Sequence, residues 1–267
     1  MKKRIVVKVG TSTLSHGGGG LNFKNIEKIA RTLSDIRNAG NDVILVTSGA
    51  IAAGSGKLRF TKRPEELRFK QAASAVGQCE LMHIYDKYFG EYGTVVGQIL
   101  LTREDVERSH VCESLTSTFN ALLELGVIPV INENDSVCFE EIESEHRVFG
   151  DNDTLSAVVA ALVHADILIL LSDIEGLYDS DPHKNPDACL IPVADPFDER
   201  IEALAGGAGS SYGTGGMQTK LAAARIANKA GVDMVITNGT APQNIYNIVE
   251  GRIVGTLFTG GKNNDCT

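Results

Sequence analysis

The sequence has no surplus of positive charge. It carries 25 Lys and Arg against 34 Asp and Glu, a formal net charge of −9 at pH 7. A broad nucleic-acid footprint or an anionic membrane surface needs the opposite sign, so an anionic ligand has to be held by a few local cations and backbone N–H groups. Metal-knuckle and CxxC spacings are also missing: Cys79, Cys112, Cys138, Cys189 and Cys266 are scattered and odd in number, which reads as buried thiols in a reducing compartment. There is no run long enough for a membrane span, because Val158 to Leu171 is interrupted by His164 and Asp166. The basic start, MKKRIVVKVG, leads into an apolar stretch too short for a signal peptide. A cytoplasmic protein with no membrane and no nucleic-acid partner is expected. A largely disordered chain is excluded too, since 43% of residues are hydrophobic and can offset the ordering entropy.

Common catalytic templates are absent as well. No strand is followed by GxGxxG, no GxxxxGK[ST] loop occurs, and HExxH is missing. Phe149–Gly150–Asp151 is not the metal-binding DFG of protein kinases. The six histidines, His16, His83, His110, His146, His164 and His183, show no metal spacing.

What is present is an alternation of short β-branched runs with helical stretches. Ile5–Val9, Val43–Val46, Thr94–Leu100, Val127–Ile131, Ile167–Leu171 and Met234–Ile236 read as buried strands, apolar on both faces. Between the first two, Phe23, Ile26, Ile29, Ala30, Leu33 and Ile36 share one helical face, with Asn22 as a candidate cap and Gly40 as the stop. Leu155, Val158, Val159 and Leu162 form a second such face, and Leu221, Ala224 and Ala227 a third. The alternation predicts an α/β fold, an open and mainly parallel sheet with helices on both faces. The glycine clusters Gly17–Gly20 and Gly206–Gly216 read as loops rather than domain joints. One domain over residues 1–259 with a polar tail at 260–267 is expected. The acidic stretch Glu140, Glu141, Glu143 and Glu145 reads as a solvated hairpin edge.

In such sheets ligands bind beyond the carboxyl ends of the strands. Polar loops stand at those ends: Lys8-Val9-Gly10-Thr11-Ser12, Thr47-Ser48-Gly49-Ala50, Asn132-Glu133-Asn134-Asp135, Gly150-Asp151-Asn152-Asp153, Leu171-Ser172-Asp173 and Gly213 to Lys220. Glycine at a strand-to-helix turn lets backbone N–H groups approach a phosphate, and the helix N-terminus adds a positive field. Each loop alone is ordinary turn chemistry. Lys8 on its own suits a solvent-seeking lysine, and Asn152 or Asp153 a helix cap.

Taken together and in order, these loops resemble those of the amino acid kinase family, over Val6–Ser12, Val46–Gly54, Pro129–Asp135, Phe149–Asp153, Ser172–Tyr178 and Gly213–Lys220. The Asn132–Asp135 and Ser48–Gly54 runs resemble its glutamate-using branch. The resemblance covers residues 4 to about 258, and the C-terminal PUA-type domain of many relatives is not expected in this chain. It implies an αβα sandwich and phosphorylation of the γ-carboxylate of L-glutamate by ATP with Mg2+, the metal being bound chiefly through the phosphates. Lys8 and Lys220 would be the catalytic cations, with Asp153 holding both. Ser48, Gly49, Asp135 and Asn152 would form the substrate pocket, Asp135 taking the α-ammonium. ATP would lie against Lys8, Gly10, Ser172, Asp173, Thr214, Gly215, Gly216, Met217, Gln218, Thr219 and Lys220, with the Gly10 and Gly49 N–H groups on phosphate and the Gly206–Gly216 loop closing over the nucleotide. The resemblance further implies inhibition by L-proline, a homo-oligomer of two or four chains, and hand-off of the acyl phosphate to a reductase. An acetylglutamate, aspartate, carbamate or uridylate kinase, or a non-catalytic glutamate- or nucleotide-binding regulator, remains the alternative.

Overall fold

The first apolar run of the chain forms a strand, Arg4–Val9, and its last five residues are all buried. This is possible only where helices cover both faces of the sheet. A computed structural model of the chain describes residues 2–16, 20–137, 151–182, 184–205 and 216–260. The elements run β1 (Arg4–Val9), α1 (Thr11–Leu14), α2 (Phe23–Asn38), β2 (Asp42–Val46), α3 (Ala50–Lys57), α4 (Leu67–Gly90), β3 (Val96–Leu101), α5 (Arg103–Glu107) and α6 (Ser109–Glu124). They continue with β4 (Ile128–Glu133), α7 (Asn152–Leu162), β5 (Ile167–Ser172), β6 (Val193–Ala194), α8 (Glu199–Ala205), α9 (Met217–Lys229), β7 (Asp233–Asn238), α10 (Asn244–Val249) and β8 (Thr256–Phe258).

The sheet order is β3-β4-β2-β1-β5-β7-β8-β6, and every pairing is parallel except β7 with β8. The open, mainly parallel sheet expected from the alternation is therefore present. Side chains of a strand alternate between faces, and two hydrophobic layers result. Val6, Ile44, Leu168, Leu170 and Ile236 pack with Leu155 and Val159 of α7 and Leu221 and Ala224 of α9. Ile5, Val7, Leu45, Ile169 and Val235 pack on the other face with Ile26, Ile29 and Leu33 of α2, Leu81 and Phe89 of α4, and Ile245 of α10.

Local chemistry sets the ends of these elements. The Asn22 side chain caps α2 by accepting from Asn25 N at 3.1 Å, and Gly40 turns the chain out of it at φ +97°, a conformation that suits glycine. Three expectations need correction. Strand β3 is an edge strand in which only Leu101 is buried, so it is not apolar-covered on both faces. Strands β6 and β8, of two and three residues, were not expected because such short pieces carry no periodicity. Cys79 and Cys189 are exposed and Cys112 is half-buried, so these thiols are not core residues; Cys138 and Cys266 lie outside the described residues. The Glu140–Glu145 stretch, the loops 17–19 and 206–215, and the tail 261–267 lie outside them as well.

From β1 the chain passes to β2 on one side, and after β4 it returns through α7 to β5 on the other. The carboxyl end of β1 is thus a point where the winding reverses, the usual place for a ligand crevice in an open α/β sheet.

Candidate active site

Lys8 shares the parity of Val6 on β1, so both belong to the face covered by α7 and α9. Those two helices begin at the same edge of the sheet, and their first turns carry Asp153 and Lys220. The three side chains meet. Lys8 Nζ lies 2.6 Å from Asp153 Oδ1 and Lys220 Nζ lies 3.2 Å from Asp153 Oδ2. Thr219 Oγ1 is 3.1 Å from the same Oδ2. All three charged residues are buried, with exposures of 9% for Lys8, 6% for Lys220 and 1% for Asp153. Burial by itself would push the Asp153 carboxyl up. The ammonium groups of Lys8 and Lys220 outweigh it and hold Asp153 below the usual carboxylate range. Its place in the first turn of α7 adds a favourable dipole. Among these three groups the charges sum to one positive, poised at a strand edge.

Asn152 and Asp153 do not serve as the cap of α7. That position belongs to Asp151, which has extended backbone angles and accepts from Thr154 N at 2.8 Å. The neighbouring side chains are thereby released for other partners. Asn152 Nδ2 reaches Thr47 O at 2.8 Å, Ser48 Oγ at 2.8 Å and Asn132 Oδ1 at 2.9 Å, tying the ends of β2 and β4 to the start of α7. Because Ser48 Oγ accepts from Asn152, its own O–H is left to donate. The end of β2 is further anchored to α4 by a 2.7 Å hydrogen bond between Thr47 Oγ1 and Tyr85 OH. Burial pushes the Tyr85 phenol well above its ordinary range, so it stays neutral.

Asp135 follows β4 on the same side. It is half-buried and accepts from Ser74 Oγ at 2.6 Å. Burial pushes its carboxyl up, against the pull of the Ser74 hydrogen bond and the Arg63 charge. Gly49 sits at φ +87° as the N-cap of α3 and provides no side-chain cap, so N–H groups at the start of that helix point outward unoccupied by a cap. Gly10 packs close to Lys8, whose Nζ would lie 3.5 Å from a Cβ added there.

On the other side of β1 stand Ser172 and Asp173, at the end of β5, with Ser172 Oγ donating to Asp173 Oδ1 at 3.0 Å. Gly216 is the N-cap of α9, again without a side-chain cap, and Met217, Gln218, Thr219 and Lys220 form the first turn. The Met217 side chain packs against the hydrophobic layer, so its contribution at this edge is its backbone. Thr214 and Gly215 lie outside the described residues.

The structure therefore places Ser48, Gly49, Asp135 and Asn152 toward β2 and β4, and Ser172, Asp173 and Gly216–Lys220 toward β5, with Lys8, Asp153 and Lys220 between. Sequence reasoning missed Ser74 and the capping role of Asp151, and gave Thr47 and Asn132 no role beyond their places in the strand-end loops. Ser74 lies within helix α4, away from every strand-end loop, and no local pattern marks it. Among the described residues no group of three or more His, Cys, Asp or Glu is arranged to hold a metal ion, and no helix is long and apolar enough to cross a membrane.

The pattern of the amino acid kinase family matches residues 3–238. A glutamate 5-kinase of Clostridium perfringens is 53% identical over 260 residues, covering 97% of this chain and 96% of the relative. A glutamate 5-kinase of Clostridium acetobutylicum is 55% identical over 255 residues, covering 96% and 94%. Among solved structures, carbamate kinase from Giardia lamblia bound to AMP-PNP superposes with a TM-score of 0.68 at 15% identity, over 97% of this chain and 98% of that one. UMP kinase from Bacillus anthracis gives 0.64 at 17% identity, over 97% and 96%. At such identities these two structures speak for the fold alone.

Proposed function

The chain belongs to the amino acid kinase family, and on that premise we propose that it transfers the γ-phosphoryl group of ATP to the γ-carboxylate of L-glutamate, giving ADP and L-glutamyl 5-phosphate. The observation that carries this reading is the buried Lys8–Asp153–Lys220 cluster at the winding reversal. Glutamate 5-kinases at 53% and 55% identity over nearly the whole chain support the substrate.

The chemistry suits the site. A glutamate γ-carboxyl, which ordinarily titrates near ~4.3, is already ionised at neutral pH, so no general base is needed. Asp153, held ionised between two cations, is a poor base and a good anchor. The obstacle is that an anion must attack a polyanion. Phosphoryl transfer is catalysed mainly by alignment and by cations placed where charge gathers. Lys8 and Lys220 provide those cations, and Asp153 keeps them convergent by its two oxygens. The carboxylate oxygen of glutamate forms a bond to γ-phosphorus as the bond from γ-phosphorus to the β,γ-bridging oxygen breaks, the electron pair leaving on ADP. Magnesium would be held chiefly through the ATP phosphates, since among the described residues no carboxylate cluster is arranged to bind it, and would supply further positive charge there.

Glutamate is gripped at its other groups. Asp135 pairs with the α-ammonium, while the Ser48 O–H and nearby backbone amides take carboxylate oxygens. An N-acylated analogue would leave Asp135 without its cation, which disfavours an acetylglutamate kinase. The N–H groups at Gly10, Gly49 and the start of α9 receive phosphates, and Ser172 and Asp173 border the nucleotide.

Several further features belong to the same proposal. One continuous sheet with strands from Arg4 to Phe258 supports residues 1–259 as a single kinase domain. L-proline, an amino acid of glutamate's carbon length, suits the Asp135 pocket as an inhibitor. A homo-oligomer, a cytoplasmic site of action and delivery of the acyl phosphate to a reductase complete it. The test is glutamate-dependent ADP release with hydroxylamine trapping, run beside N-acetylglutamate, aspartate, carbamate and UMP, with and without proline. Hydroxamate formation from glutamate is expected. Turnover of another panel member in its place overturns the reading.

A further inference from the structure

Helix α4 touches none of the strand-end loops in sequence, yet it reaches the site through a close helix crossing. A side-chain carbon on Gly54 of α3 would overlap Ala73 O, and one on Gly77 of α4 would overlap Ala50 O. The two backbones are therefore in direct contact. Helix α3 begins at Ala50, directly after Ser48 and its N-cap Gly49, so the crossing fixes α4 relative to that end of the pocket. On α4, between these contact points, stands Ser74, with 0% of its surface exposed. A serine inside a helix ordinarily bonds back to a carbonyl of its own preceding turn or faces solvent. Ser74 instead donates across a separation of 61 residues to Asp135 Oδ2, at 2.6 Å. One turn further along α4, Gln78 Nε2 donates to Glu133 O at 3.3 Å. Helix α4 thus grips the end of β4 twice.

We propose that Ser74 is a positioning and specificity residue of the amino-acid pocket, holding Oδ2 of Asp135 so that Oδ1 is presented to the ammonium of a free α-amino acid. The inference rests on the reading of Asp135 given above. Its physical content is that a half-buried carboxylate, with one oxygen immobilised, offers a single directed acceptor to a cation. The hydroxyl also favours the ionised form of the carboxyl against the effect of burial. Burial raises Asp135, the Ser74 hydrogen bond lowers it, and the Arg63 guanidinium lowers it further. From α4 the group facing Asp135 is the Ser74 hydroxyl, and from the 58–66 segment it is Arg63. Removing the hydroxyl moves the Asp135 titration upward, so ammonium binding fails at a higher pH than in the parent protein.

The test uses the full chain and initial rates at varied glutamate, ATP and pH for the parent, Ser74→Ala, Ser74→Cys, Asp135→Asn and the double variant Ser74→Ala/Asp135→Asn. Ser74→Ala is expected to raise KM for glutamate on the order of tenfold, the scale of a lost hydrogen bond to a charged group. Its kcat and its KM for ATP stay within about twofold of the parent. The acid limb of the glutamate KM profile shifts to higher pH. Ser74→Cys, with a weaker donor, falls between. In the Asp135→Asn background the Ser74→Ala change has little further effect, because the two act as one unit. An unmoved glutamate KM in Ser74→Ala beside a raised one in Asp135→Asn overturns the inference and leaves the function standing. Equal effects on kcat and both KM values, or multiplying effects in the double variant, overturn it too. A parent protein with no glutamate turnover removes the functional reading, and the inference with it.

Discussion

Lys8 and Lys220 address opposite oxygens of one carboxylate, the first at Oδ1 of Asp153 and the second at Oδ2. Neither ammonium competes with the other for an acceptor. A strand lysine and a helix lysine are held side by side despite their mutual repulsion, which only a bridging anion of this depth permits. The pairing sets what each variant of the cluster does.

In the proposed mechanism, replacing Lys220 by Ala removes a cation that acts on charge developing in transfer. A fall in kcat on the order of 10²–10³-fold is expected, the scale for loss of one preorganised electrostatic donor. KM for glutamate changes little, and the circular dichroism spectrum stays native because Lys8 still pairs Asp153. Near-parent turnover in steady-state assays removes the electrostatic mechanism.

Asp153→Asn keeps the shape and removes the bridge. Two buried ammonium groups then face each other without their anion, a loss of about 3–5 kcal/mol of stability by analogy with broken buried ion pairs. The pH dependence follows from the sign of the shift. Asp153 is lowered in the folded state, so its contribution is present above the unfolded carboxylate pKa of ~3.9 and is lost as pH falls through the depressed folded value. Urea midpoints measured from pH 7 to pH 3 should show a shallower acid slope in Asp153→Asn than in the parent. Parallel slopes count against the assignment.

Asp135→Ala should raise KM for glutamate by on the order of 100-fold, since it removes a charged partner from a desolvated ammonium, while KM for ATP moves by less than about threefold. N-acetylglutamate should be no substrate for the parent. Glutamate affinity should weaken on acidification through the raised pKa of Asp135, because protonation discharges the acceptor. A glutamate KM that stays flat as pH is lowered to the limit at which the protein remains folded rejects that role.

The α3–α4 crossing makes a separate demand on packing. Gly77→Ala places a methyl group where Ala50 O lies, and the helices must separate. A loss of about 1–3 kcal/mol is expected, the range for overpacked interiors, accompanied by a higher KM for glutamate as Ser74 withdraws from Asp135. An unchanged denaturation midpoint shows that the crossing yields easily.

Much of the frame was readable from composition and periodicity. The six long strands lie within one or two residues of their apolar runs, and polar loops follow β1, β2, β4 and β5, because a buried parallel strand must be apolar on both faces and must stop where polarity begins. The cap of α7 was not readable: Gly150-Asp151-Asn152-Asp153 offers three side chains with capping ability, and only the backbone angles choose Asp151. Ser74 was hidden for another reason. Its partner lies 61 positions away, and nothing local tells a buried helical serine that bonds outward from one that bonds to its own turn. Gly54 and Gly77 hold the nearest clue, since helical glycine is unfavourable unless something needs the space. Their being in contact with each other's helix is a tertiary fact.

The central place of β1 has a consequence for how the molecule is made. Its neighbour β2 begins at Asp42, but its other neighbour, β5, spans Ile167–Ser172. During synthesis one flank of Ile5–Val9 therefore stays bare while more than half of the polypeptide emerges, an apolar ribbon with unmatched amides that invites foreign strands. Closure depends on contacts far apart along the chain, which form slowly. The part of the protein built first is the part that waits longest for shelter.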